Sequence, residues 1–292
     1  MSLQRRKKDM TGYYFIFPAF VLLGVVTVFP YVYAIFLSFM KTKYQNIIGF
    51  YGLGNYSNVF SSSMFLVVLK NQFLIVVLGG AFQFLLGFSG ALALNRSVKG
   101  VYSIRSLIMI PWVIPGVVTG LLWQWILDGN YGVLNYLFRI MGVLQTNYPF
   151  LSTGWTAMLF LIVVDVWRIF PFVLVMSLSG LQSVPIEQQE AACIDGADTF
   201  QRLFHVTIPN MMPIIVLTIT LISIWNFKIF DIVWTFTQGG PAGATEVFAT
   251  VIYKNAFQNA NFGYSSAMAV IMGIIIAIPV FLRLKIQSRE SL

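Results

Sequence analysis

The sequence predicts an all-α, polytopic membrane protein with six transmembrane helices. Three observations predict it. Of the 292 residues, 58% are hydrophobic and only 10% charged, where a soluble domain carries about 25% charged residues. The apolar residues gather into six runs, at about 13–40, 66–94, 106–127, 155–181, 212–236 and 266–284, and a bilayer-crossing helix needs about 20 such residues. The lysines and arginines between the runs favour one side, as membrane topology requires.

The first run follows Arg5-Arg6-Lys7-Lys8, which imitates a secretory signal. A signal core is about 7–15 residues and ends in a small-residue cleavage site. The run from Tyr13 to Met40 is far longer and lacks that site, so an uncleaved first span is expected. The first two runs exceed what a bilayer requires, and either tilt or extend beyond it as helix. Pro111 and Pro115 in the third run, Pro171 in the fourth and Pro279 in the sixth are expected to bend their helices, because proline lacks a donor. Trp123, Trp125 and Trp155 fall near run ends, where amphipathic rings prefer the interface. Gly239-Gly240-Pro241 ends the fifth run with a turn. The connections at Lys41–Phe65, Asp128–Gly154 and Thr237–Ser265 have room for short surface helices, so 1–292 reads as one membrane domain.

With the N-terminus inside, the inner segments hold Arg5, Arg6, Lys7, Lys8, Arg96, Lys99, Arg105, Arg202, Arg283, Lys285 and Arg289, and the outer segments Lys41, Lys43, Arg139 and Lys254. That is 11 against 4, which places both termini in the cytoplasm. The net charge of +8 is spread between apolar runs, unlike the single basic patch with stacking aromatics of a nucleic-acid surface. Cys193 is the single cysteine, so no internal disulfide forms, and no Cys/His cluster suits a metal. His205, the lone histidine, reads as a polar loop residue.

The segment 183–209 joins the fourth and fifth runs on the cytoplasmic side. Glu187, Glu190, Asp195 and Asp198, four of the ten acidic residues, lie in it. Ser183 and Pro185 signal a helix start, and Ile186 to Ile194 can form about two turns. Glu187 and Glu190 suit the positive end of that helix. Asp195-Gly196 is a stop signal. Asp198 with Gln201 resembles a capping pair for a second short helix, which Ile208-Pro209 is expected to break. Ala191, Ala192, Gly196 and Ala197 leave little bulk at the bend, so it can enter a partner's groove closely.

Glu190-Ala191-Ala192, Asp195-Gly196-Ala197 and Ile208-Pro209, with Leu181-Gln182-Ser183-Val184-Pro185 before them and Pro213 after, resemble the EAA loop of bacterial ABC importer permeases. Asn55-Tyr56, Pro111-Trp112, Pro115-Gly116 and Thr237-Gln238-Gly239-Gly240-Pro241 are similar to the carbohydrate type, and the Gly-Gly-Pro turn followed by Thr245 is similar to the maltose-permease F-like half, in a six-span variant. The resemblance covers nearly the whole chain. It implies the type I ABC importer permease fold, a second, maltose-permease G-like subunit, two ABC ATPase subunits and an extracytoplasmic solute-binding protein. It also implies that Glu190, Ala191, Ala192, Asp195, Gly196, Ala197 and Pro209 couple to the ATPase. No G-x-x-x-x-G-K-[ST] sequence is present. The chain is therefore expected not to be an enzyme and to hold no cofactor, ATP and magnesium being bound by the partner ATPases.

Charges inside spans are costly and mark function by default. Asp165 with Arg168, and Lys228 with Asp231, are two i,i+3 pairs that can neutralise themselves. Asp165, Arg168, Ile169 and Phe172 share one helix face, and Ile222, Trp225, Asn226 and Ile229 share another. The resemblance places these two faces on the sugar path. Aromatic rings with a few polar groups suit a sugar, and Arg168 leaves an acidic oligosaccharide or a sugar phosphate open. On an ideal helix Lys228 and Asp231 point away from Asn226 and Ile229, toward another helix or subunit. An ion-coupled carrier using the two charge pairs is the rival reading, although no strong internal repeat supports it. An intramembrane enzyme lacks its catalytic constellation.

Overall fold

The computed structural model describes residues 11–44, 46–95 and 100–290. Arg5, Arg6, Lys7, Lys8, Arg96 and Lys99, on which the expected orientation leans, lie outside the described residues. The chain divides into two compact units, one of residues 11–61 and 252–271 and one of 62–251 and 272–290.

The first unit opens with helix α1 (Tyr14–Ser38), of whose most apolar stretch only 6% is buried within the chain. An antiparallel hairpin of β1 (Met40–Lys43) and β2 (Asn46–Phe50) follows, paired Met40 to Phe50 and Lys43 to Asn46. This hairpin departs from the all-α expectation. Short helix α2 (Gly54–Phe60) comes next. Asn55 is buried at its start and donates to the carbonyls of Ser38 (2.9 Å) and Met40 (2.8 Å). It thus satisfies the Ser38 acceptor left free at the end of α1 and ties the start of β1 to the same point. Gly263 completes the joint, its N–H donating to Thr42 Oγ1 at 2.8 Å. A Cβ at Gly263 would lie 2.5 Å from the Met40 carbonyl oxygen. Gly263→Val is therefore expected to destabilise the protein by about 1–3 kcal/mol, read as a lower thermal midpoint in detergent.

The second unit is built on helix α3 (Ser63–Leu94), the bent pair α4 (Val101–Val113) and α5 (Gly116–Ile126), surface helix α6 (Val133–Ile140), and long helix α7 (Gly154–Gln182). Helix α8 (Ile186–Ile194), helix α9 (Thr199–Phe227) and short helix α10 (Asp231–Phe236) follow. Helix α11 (Phe248–Tyr253) and the long α12 (Phe262–Glu290) close the chain. Small residues let α3 and α7 approach closely: a Cβ at Gly87 would meet Val173 Cβ at 2.5 Å, and one at Gly90 would meet Leu174 Cδ1 at 2.9 Å.

Among the described residues four helices are long and apolar enough to cross a bilayer, and the α4–α5 pair makes a fifth if counted as one span. The expected single span over 106–127 is instead bent by 94°. Ile114 is extended (ψ 128°) ahead of Pro115, the conformation a following proline imposes. Pro171, by contrast, sits inside an unbroken α7. The expected break at Ile208-Pro209 does not occur either. A π turn over Leu203–Thr207 precedes it, and Pro209 then stands at the start of the following α-helical segment, where a missing N–H costs little. Helix α9 therefore runs without interruption from the loop to Phe227. The 212–236 run is interrupted at Lys228–Phe230, beyond which α10 turns against α5.

Candidate functional site

Two regions concentrate the candidate residues. The first is a cavity of about 300 Å³ where α4, α5, α7, α9 and α10 meet. Trp112, Arg168, Ile169, Trp225, Lys228, Ile229 and Asp231 are among its lining residues. Phe172 stacks on Trp112 (ring centroids 5.6 Å apart, 26° between planes) and touches Trp225 (4.6 Å), so it holds both indoles from behind.

A buried polar network stands behind this wall. Arg168 Nη2 donates to Asp165 Oδ1 at 3.3 Å, and the other oxygen of Asp165 accepts from Gln83 Nε2 at 2.8 Å. Asn226 Nδ2 donates to Gln83 Oε1 (3.2 Å) and to the Ile75 carbonyl (3.4 Å) at the start of a π turn in α3. Gln72 Nε2 donates to the Asn226 carbonyl at 2.9 Å. A buried carboxylate is tolerated only when its charge is paired and its lone pairs are filled, and Arg168 and Gln83 do both. The Nε of Arg168 is buried with no acceptor among the described residues. The Lys228 side chain makes no hydrogen bond or ion pair there either.

The second region is the loop from Ile186 to Pro209. Helix α8 ends in a Schellman motif: Gly196 N–H donates to Cys193 O (3.1 Å) and Ala197 N–H to Ala192 O (2.9 Å), with Gly196 at φ +80°. This geometry needs glycine or asparagine after the helix. Asp198 and Gln201 form the reciprocal capping box, at 2.8 and 2.9 Å. Ser183 does not open α8. Its Oγ donates to Gly180 O at 2.8 Å and so closes α7. Gln189 Nε2 to Thr207 Oγ1 (2.9 Å) and Asn210 Nδ2 to Gln188 Oε1 (2.8 Å) tie α8 to the root of α9. Glu190, Ala191, Asp195, Gly196 and Pro209 are exposed, and Ala192 and Ala197 half-buried. Ile194 is 87% and Phe200 73% exposed.

Residues 59–290 match the family described as binding-protein-dependent transport system inner membrane component. The chain belongs to this family. The permease is 32% identical over 276 residues to the probable ABC transporter permease protein PH1215 of Pyrococcus horikoshii, covering 91% of this chain and 92% of that protein. It is 30% identical over 280 residues to the trehalose/maltose transport system permease protein MalF of Thermococcus litoralis, covering 94% and 92%. Its fold matches a chain in the crystal structure of a bacterial alginate ABC transporter in complex with alginate pentasaccharide-bound periplasmic protein. The TM-score is 0.83 over 97% of this chain and 96% of that one, at 19% identity.

The structure separates the substrate-path candidates of this permease into two groups. Arg168, Ile169, Trp225 and Ile229 line the cavity. Asp165 and Asn226, each 1% exposed, lie in the network behind it, and Phe172 braces the two indoles. Lys228 and Asp231, which the ideal-helix projection turns away, line the cavity as well. The projection fails because α9 stops at Phe227, so later side chains no longer follow its period. The two residues do not pair with each other. Two charges inside one apolar run were the signal that could have found them, and their i,i+3 spacing disguised it as a self-neutralising pair.

Proposed function

We propose that this permease is one of two membrane subunits of an ATP-driven importer for a sugar or oligosaccharide. It spans the membrane six times with both termini cytoplasmic. A maltose-permease G-like subunit pairs with it, an extracytoplasmic binding protein delivers the substrate, and two ABC ATPase subunits bind ATP and magnesium. The cavity carries this reading. Trp112 and Trp225 offer flat apolar faces for a sugar ring, while Arg168, Lys228 and Asp231 offer polar groups for hydroxyls. The trehalose/maltose permease relative supports the same substrate class.

The loop 183–209 is the contact to the ATPases. Movement of a docked α8 would pass through the Gln189–Thr207 and Gln188–Asn210 bonds into α9, whose far end bears Trp225 on the cavity wall. An acidic oligosaccharide is the second reading, favoured by the unfilled donors Arg168 Nε and Lys228 Nζ. The test is uptake by the assembled transporter in vesicles loaded with ATP, against a panel of neutral and acidic sugars presented with the binding protein. ATP-dependent accumulation of one panel sugar is expected. Uptake that needs only an ion gradient would refute the proposal.

A further inference from the structure

Away from the cavity, α3 and α7 enclose a groove of about 510 Å³ that the transport reading does not use. Lys70, Trp155, Leu74, Leu78, Leu159 and Ile162 line it. The two helices start at the same end of the groove, so its chemistry changes along its length. Lys70 stands early in α3, and Trp155 is the second residue of α7. Leu74 and Leu159 come one turn further in, and Leu78 and Ile162 lie about 10–12 Å from the charged end at about 1.5 Å per residue.

Lys70 is exposed, and its side chain makes no hydrogen bond or ion pair among the described residues. A bare ammonium on an apolar membrane helix is costly unless an anion or the headgroup layer receives it. Trp155, 72% exposed, marks the interfacial level at the same end. The neighbouring Asn71 cannot serve a ligand, because its amide already donates to the carbonyls of Ala244 and Glu246, both at 2.9 Å. Lys70 is therefore the free side-chain charge near one end of an apolar groove that runs along α3 and α7.

We propose that this groove binds one anionic glycerophospholipid, its phosphate on Lys70 and one acyl chain along Leu74, Leu159, Leu78 and Ile162. Charge complementarity selects this occupant. An apolar helix from another subunit would cover the same leucines but would press Lys70 against hydrocarbon, whereas a phosphate neutralises it.

The full-length protein, co-purified with its partner subunits in mild detergent, can be incubated with phosphatidylglycerol or with phosphatidylcholine of the same chains. Native mass spectrometry then counts the bound lipid. The expected result is one retained phosphatidylglycerol, favoured at least about fivefold over phosphatidylcholine. Lys70→Glu should abolish the preference and Lys70→Arg should keep it. Leu78→Trp, which fills the floor without touching the charge, should release the lipid. Equal retention of the two lipids by the wild type, or undiminished phosphatidylglycerol in Lys70→Glu, would overturn the proposal. So would efficient disulfide trapping of Leu74→Cys to a companion membrane subunit, since a protein segment would then occupy the groove.

Discussion

Glu190→Lys is expected to reduce uptake about a hundredfold or more while leaving the permease in the membrane at near-normal abundance. Glu190 is exposed on α8 and makes no side-chain hydrogen bond or ion pair among the described residues. Reversing its charge therefore costs the fold little. At a docked interface, losing one partner of a buried, hydrogen-bonded charge pair costs about 2–5 kcal/mol, which is the source of the hundredfold figure. Gly196 supplies a second lever on the same surface. Its φ of +80° closes the Schellman turn, and no atom lies within 4 Å of where a Cβ would stand. Any loss on substitution inside the free chain therefore comes from backbone strain. Gly196→Val should uncouple transport, whereas Gly196→Asn, which tolerates the left-handed conformation, should retain most of it. Paired measurements of membrane abundance and uptake check these outcomes. Full uptake by both Glu190→Lys and Gly196→Val would remove the loop from the coupling role.

Arg168→Ala is expected to fail in two separable ways. It removes a donor from the cavity wall and leaves Asp165, 1% exposed, with Gln83 as its remaining side-chain partner. Breaking a buried pair by deleting one member costs about 3–5 kcal/mol, so abundance should fall along with uptake. The double variant Arg168→Ala/Asp165→Ala removes the stranded charge. It should recover abundance without recovering uptake, because the cavity still lacks its guanidinium. Trp225→Ala provides the charge-free comparison. It removes the indole that packs on Phe172 at 4.6 Å, and with it an aromatic contact worth about 0.5–1.5 kcal/mol beyond area burial. Uptake should fall at least about tenfold at limiting substrate. Recovery of uptake in the double variant, with normal uptake in Trp225→Ala, would dissociate the cavity from transport.

Much of this molecule was legible in its residues because membrane chemistry is coarse. Apolar runs of bilayer length, and a polar loop with stop and capping signals, depend on local composition and on backbone rules that act over a few residues. The helix over Ile186–Ile194, the turn at Gly196 and the Asp198–Gln201 capping box are of this kind. The hairpin at Met40–Phe50 was missed because its pairing is short and partly fastened by Gly263, more than two hundred residues away in sequence.

The prolines make the boundary plain. The sequence by itself determined where backbone donors are missing, Pro115, Pro171 and Pro209 among them. Tertiary structure decided the consequence of each. At Pro115 the chain bends by 94°, and α10 packs on the helix beyond the bend. At Pro171 the helix continues. At Pro209 a π turn absorbs the defect, and α9 becomes one continuous element from the 183–209 loop to the cavity. The same holds for the charges. Composition determined that Asp165, Arg168, Lys228 and Asp231 stand in apolar runs. The end of α9 at Phe227 and the packing of Gln83 from α3 decided which face the cavity and which lie behind its wall. The physical reason is that a missing donor or an unpaired charge is local, while the partner that compensates it arrives from another helix.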